Sequence, residues 1–153
     1  MQLNTLLKTL PLIHFSLVMG LVVFTGFVYW KNPDFNAEMN SADIFTYLVP
    51  IVAAVGYFAS KALFQKLINT IAHNGGPQNK LGRYQLASII KYALLEVPTI
   101  LALIAYYLNS NMLHLVIALC LIIYFFSQRP TRKKVLDDLK LSLEEQRELD
   151  LKN

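Results

Sequence analysis

A single cysteine, Cys120, rules out an intrachain disulfide and a cysteine metal cluster in this 153-residue chain. Lying in an apolar run, it reads as a small packing residue. Charge is scarce as well: 16% of residues are Asp, Glu, Lys or Arg, against roughly 25% in an average soluble domain. No G-K-[ST] follows His73-Asn74-Gly75-Gly76-Pro77, so that turn is not a phosphate loop. G-x-S-x-G and H-E-x-x-H are absent too. His14 and His114 fall near opposite ends of apolar segments and His73 in a loop, a distribution that cannot assemble a metal site. Glu96 has no second acid nearby to make a catalytic pair. These absences argue against an enzyme and imply no cofactor and no metal.

What the chain has in abundance is apolar length. Apolar residues make up 55% of it, and the mean hydropathy is +0.42. Residues 11–30 carry no formal charge over 20 positions, and residues 44–60 none over 17. Residues 86–108 and 112–126 follow. This much apolar length in so short a chain calls for a bilayer. The first run exceeds the roughly 7–15 residues of a signal-peptide core, and no A-x-A-like site follows it, so it reads as a retained helix. The expected fold is all-α: a polytopic domain over residues 1–128, with helices at about 11–30, 44–64, 84–108 and 111–128, paired as two helical hairpins.

The loops predict an orientation. Lys61, Lys66, Lys80 and Arg83 lie between the second and third stretches, with Lys91 just inside the third. Arg129, Arg132, Lys133 and Lys134 follow the fourth. The first loop has Lys31 against Asp34, Glu38 and Asp43. Bases in short loops stay cytoplasmic, which places both termini and the middle loop inside a plasma membrane. Tyr29, Trp30, Phe45, Tyr47, Tyr106 and Tyr107 mark a matching outer boundary. The net charge of +4 is thus apportioned by membrane side and does not point to nucleic acid.

Short amphipathic flanks complete the chain. Leu3, Leu6, Leu7 and Leu10 repeat at helical spacing before Pro11, which suits the first turn of a new helix. Leu63, Phe64, Leu67, Ile68 and Ile71 extend the second helix as far as Gly75-Gly76-Pro77. Residues 129–153 read as a basic-then-acidic cytoplasmic tail. Thr131 is its expected N-cap, and Ser142-x-x-Glu145 resembles a capping box. These flanks either lie on the membrane surface or extend the bundle. Arg129, Arg132, Lys133 and Lys134 are expected to contact anionic lipid headgroups, and the acids beyond them to be repelled by the same surface.

The two hairpins also resemble each other. At an offset of 77, residues 12–19 fall on residues 89–96, and Tyr29-Trp30 falls on Tyr106-Tyr107. A parallel internal repeat is one reading; the other is that apolar helices always align. In the repeat, Met19 is the counterpart of Glu96.

Glu96 is the one acid within the apolar stretches. In hydrocarbon it must be protonated, paired or facing a polar cavity. Gln85, Ser88, Tyr92, Glu96 and Thr99 recur at spacings of three and four, so they form a stripe expected to face the bundle interior or an oligomer interface. By depth, Tyr57 is the expected hydrogen-bond partner of Glu96, with Ser60 or Ser16 next. Pro98 lacks an N–H and frees the Leu94 carbonyl, which suggests a place for a proton, a cation or a water beside Glu96. Ser16-x-x-x-Gly20 and Gly56-x-x-x-Ser60 are small-residue pairs that permit close helix approach.

Ala93-Leu94-Leu95-Glu96, the short Asn109-Ser110-Asn111 loop, and the run from Arg129-Pro130-Thr131 through Val135-Leu136-Asp137-Asp138 to Ser142 resemble small four-helix inner-membrane proteins of bacteria. That resemblance covers the whole chain loosely and implies a bacterial inner membrane, with no activity attached. The chain is also faintly similar to the duplicated proteolipid subunits of rotary ATPases, which are of this length with a single proton-carrying acid. It departs from them in having only six glycines and in carrying the acid on the third stretch, not the last. Two functions are therefore expected. One is a structural, interaction or assembly protein with a homo-oligomeric or membrane-protein partner. The other is a small carrier or proton- or cation-binding subunit centred on Glu96.

Overall fold

The structure is a computed structural model that describes residues 3–33, 43–71, 76–141 and 145. These residues form helices and turns alone: α1 (Leu3–Lys31), α2 (Phe45–Ile71), α3 (Pro77–Asn109), α4 (Met112–Ser127) and α5 (Arg132–Leu139). Asp34 and Glu38, on which part of the charge argument rests, fall outside the description, as does Ser142 of the expected capping box.

Three helices, α1, α2 and α3, are long and apolar enough to cross a membrane. The fourth, α4, has 16 residues and joins α5 through a bend of 80°. The outward faces suit lipid and not water. Phe15, Val23, Ile51, Phe58, Val97, Ile104 and Ile123 all stand exposed. Apolar surface this continuous is foreign to a soluble monomer.

Each boundary has a local cause. Helix α3 starts after Gly76 with Pro77 in its first turn, where a missing N–H does no harm. It stops at Ser110, which takes a left-handed conformation (φ 53°) and donates its N–H to the Tyr106 carbonyl at 2.7 Å. The Asn111 side chain then caps α4 by accepting from the Leu113 N–H at 2.9 Å. Thr131 caps α5, as its sequence suggests. The α4 C-terminus is closed by the Lys134 ammonium, which donates to the Ser127 carbonyl at 3.2 Å.

Helix α3 is the hub. It packs against α1, α2, α4 and α5, whereas α1 and α2 make no extensive contact with each other. Its most apolar window is 44% buried, against 22% for α1 and 17% for α2. Two apolar clusters lie along it. One surrounds Val28, Val49, Leu103, Tyr106 and Ala118, at the aromatic end of the bundle. The other runs from Leu95 and Ile122 to Leu3, Leu6, Ile68, Leu81, Val135 and Leu139, at the basic end.

This second cluster decides the fate of the flanks. The Leu3–Leu10 segment is continuous with the rest of α1 through Pro11, not a separate turn before a new helix. Leu3, Leu6 and Leu10 are buried in the cluster that also holds Ile68, Ile71, Leu81, Val135 and Leu139. The flanks thus extend the bundle beyond the apolar spans. The acidic part of the tail is held too: Glu145 pairs with Lys80 at 2.6 Å. The expected lifting of that stretch away from the lipid surface is opposed at Glu145 by a partly buried ion pair that ties it to the start of α3. Cys120 faces outward on α4 and not into the packing.

Candidate functional site

The α3 stripe is split by the packing. Ser88, Tyr92 and Thr99 are buried, while Glu96 lies half-buried at the border of the buried face. Thr99 is satisfied within its own helix, donating to the Leu95 carbonyl at 2.7 Å.

Gly56 explains where Glu96 points. A Cβ added there would stand 2.7 Å from both the Leu94 carbonyl oxygen and the Pro98 ring. So α2 meets α3 along Leu94 and Pro98. Glu96 is two residues from each, which is about 200° around a helix. It therefore faces away from α2. The carbonyl freed by Pro98 is packed against Gly56 and does not open beside the carboxyl group.

The expected partners consequently bond elsewhere. The Tyr57 hydroxyl accepts from the Lys61 ammonium at 2.7 Å, and its ring packs on Tyr124. The Ser60 hydroxyl donates to the Tyr57 carbonyl at 2.8 Å. Ser16 is exposed on α1, and a Cβ at Gly20 would meet nothing within 4 Å. Of the small-residue pairs, Gly56-x-x-x-Ser60 makes a close approach and Ser16-x-x-x-Gly20 is left open. Among the described residues Glu96 has no hydrogen bond and no ion pair.

Its depth makes this notable. Ten residues separate Glu96 from Tyr106, about 15 Å of helix, which is half the roughly 30 Å hydrocarbon thickness. One turn earlier, the Tyr92 ring meets His14 of α1 edge-on at 5.1 Å. The edge bearing Glu96 therefore adjoins α1.

At the basic end lies a polar pocket of about 200 Å³, lined by Ser88, Lys91, Tyr92, Gln128, Lys134 and Asp138 among others. The Lys91 ammonium donates to Gln128 at 2.7 Å and stands 4.5 Å above the Phe64 ring centre. The Tyr84 hydroxyl donates to the Asp138 carboxylate at 3.0 Å. Above the pocket, His14 bonds the Phe125 carbonyl through Nε2 at 2.9 Å, joining α1 to α4. Glu96 is not among the pocket's lining residues. Lys134 lines the pocket, and it and Arg129, Arg132 and Lys133 are all exposed.

This pocket is the constellation that sequence reasoning missed. Lys91, Gln128 and Asp138 are distant in the chain, and only the 80° bend into α5 brings Asp138 back over α3. Among the described residues no group of three His, Cys, Asp or Glu side chains is placed to hold a metal. No protein-family model, characterised protein or solved structure matches the chain.

Proposed function

We propose that this chain is an integral membrane assembly protein that associates with a second membrane helix along the Glu96 edge of α3. The observation that carries this reading is a partly exposed carboxyl group at mid-bilayer depth with no partner among the described residues. Hydrocarbon offers it no hydrogen bond, whereas a neighbouring helix does. Ser16 and Gly20 on α1 support the same edge. They are exposed at a matching depth below Trp30 and let a partner backbone approach closely. The partner is another copy of the chain or another membrane protein.

The setting we propose is the inner membrane of a bacterium, with the basic end and both termini in the cytoplasm. In this reading α4 is a fourth span. At about 24 Å it is shorter than the hydrocarbon layer, and local thinning or flanking polar residues accommodate the difference. A duplication of the two hairpins is part of the same proposal and is supported by the 77-residue offset alone.

A photoreactive residue at Val97, which is exposed beside Glu96, tests the association in native membranes. Adducts to a second chain are expected. They should persist in Glu96→Gln and fall about five- to thirtyfold in Glu96→Leu, the equivalent of about 1–2 kcal/mol for one interhelical hydrogen bond. Adducts indifferent to Glu96→Leu would sink the reading. No adduct, together with a proton-linked flux lost in Glu96→Gln, would favour the carrier instead.

A further inference from the structure

Helices α1 and α4 leave a groove of about 450 Å³ between them at the basic end, within the range of small-molecule sites. Lys8 and Arg129 line it, one from α1 and one just past the end of α4, and no acidic side chain is among its lining residues. Its walls are Leu12, Phe15, Val18 and Phe126. Three of these, Leu12, Phe15 and Phe126, are exposed large apolar side chains. His14 also lines it, but its Nε2 is committed to the Phe125 carbonyl. The apolar seam continues along the same two helices. A second cleft of about 400 Å³ runs between Val22 and Gly26 on α1 and Leu115 and Leu119 on α4. One end of the seam is therefore cationic, and everything beyond it is hydrocarbon-like.

We propose that this α1–α4 groove binds one anionic phospholipid from the leaflet at the basic end. Its phosphate sits between Lys8 and Arg129, and an acyl chain lies along Phe15, Val18 and Phe126. Charge complementarity selects the occupant. Two bases, one on α1 and one just past α4, line the groove without a neutralising acid among the lining residues, at the end where headgroups lie in this reading. The apolar walls explain why a lipid and not a free anion is held: exposed bases alone retain a small anion weakly in water. A neutral lipid fills the walls but leaves both bases uncompensated. Arg132 and Lys133 are as basic but lie outside this groove, so they attract the membrane surface without selecting a single lipid. The site is separate from the Glu96 edge, and its occupancy is read per chain whether or not copies associate.

Native mass spectrometry of the full chain, released from nanodiscs of equal phosphatidylglycerol and phosphatidylcholine, tests the proposal. Selective retention of one phosphatidylglycerol per chain is expected. Each base near the surface contributes on the order of fivefold in affinity, so Lys8→Gln with Arg129→Gln should lower retention about tenfold or more. Arg132→Gln with Lys133→Gln should lower it less than about twofold. Leu12→Trp, at a position 65% exposed and so tolerant of bulk, should fill the groove and expel the lipid with the charges intact. Equal retention of the two lipids, equal loss from the two charge pairs, or displacement by added inorganic phosphate would each overturn it. So would full retention in the Leu12→Trp chain.

Discussion

At a single depth, α3 presents two opposite surfaces. On one, the Leu94 carbonyl and the Pro98 ring press so closely on Gly56 that no Cβ fits between them. On the other, Glu96 stands at the edge of the bundle with no bond to any described residue. The first surface is complete within the chain, and the second is not. A proline in mid-helix normally leaves a carbonyl exposed, and here an apposed glycine lets a neighbouring helix cover it. A polar residue in mid-membrane normally finds its partner in the bundle, and here the helix turn carries Glu96 away from α2, which bears Tyr57 and Ser60. On the proposed reading, the contrast separates what holds the bundle together from what it offers to a second helix.

The strongest way to break this contrast is at Gly56. Gly56→Ala puts a methyl group within 2.7 Å of a backbone oxygen and the Pro98 ring, so α2 must move away from α3. A loss of about 1–3 kcal/mol is expected, the usual range for overpacking. Gly56→Leu should prevent folding of the α2–α3 pair. Thermal unfolding in detergent measures the first and the yield of monodisperse protein the second. If Gly56→Ala unfolds at the wild-type temperature, the close approach is not as described.

A smaller effect is expected at the basic end. There α3 is also complete within the chain, but through polar groups. Tyr84→Phe removes the hydroxyl that holds Asp138, and with it one of the ties between α3 and α5. About 1 kcal/mol should be lost, because a half-exposed carboxylate recovers water in exchange. The loss should be local, since Val135 and Leu139 still bury their side chains. Faster amide exchange confined to residues 132–139 is the expected signature. A uniform slackening of all helices would mean that α5 is integral to the whole bundle.

Much of the architecture was legible in the sequence because the bilayer imposes a length and a polarity on each stretch. The apolar runs, the cap at Thr131 and the short loop at Asn109-Ser110-Asn111 all came from local chemistry. The continuity of α1 through Pro11 was not legible. It goes with the burial of Leu3 and Leu6 in a cluster shared with Val135 and Leu139, about 130 residues later in the chain. The stripe on α3 was legible as a stripe, but not its facing. Periodicity gives one face of a helix, and the position of α2 decides which residues on that face are covered. Gly56 was visible as a small residue, yet its opposition to Leu94 and Pro98 required the assembled pair. The Lys91–Gln128 and Tyr84–Asp138 bonds joined residues too far apart in the chain for spacing to suggest them.

The smallest expected effect is the sharpest test of the contrast. Glu96→Ala should leave the stability of the isolated bundle within about 0.5 kcal/mol of wild type, because surface positions without specific partners rarely exceed that. Were Glu96 structural glue inside the bundle, the same substitution would remove an interhelical hydrogen bond and lower stability by about 1–2 kcal/mol. The two accounts therefore differ in a single unfolding experiment on dispersed chains, with Gly56→Ala alongside as the calibrating loss. A drop for Glu96→Ala approaching that of Gly56→Ala would return the carboxyl group to the interior and remove the reason to look for a partner at this edge. An unchanged unfolding temperature, combined with loss of adducts from Val97 in membranes, would assign Glu96 to association alone. The order of the two effects matters more than their size. Packing against Gly56 acts within one chain, so its loss should appear at every protein concentration. An association through Glu96 acts between chains, so its contribution should vanish on dilution in detergent or lipid.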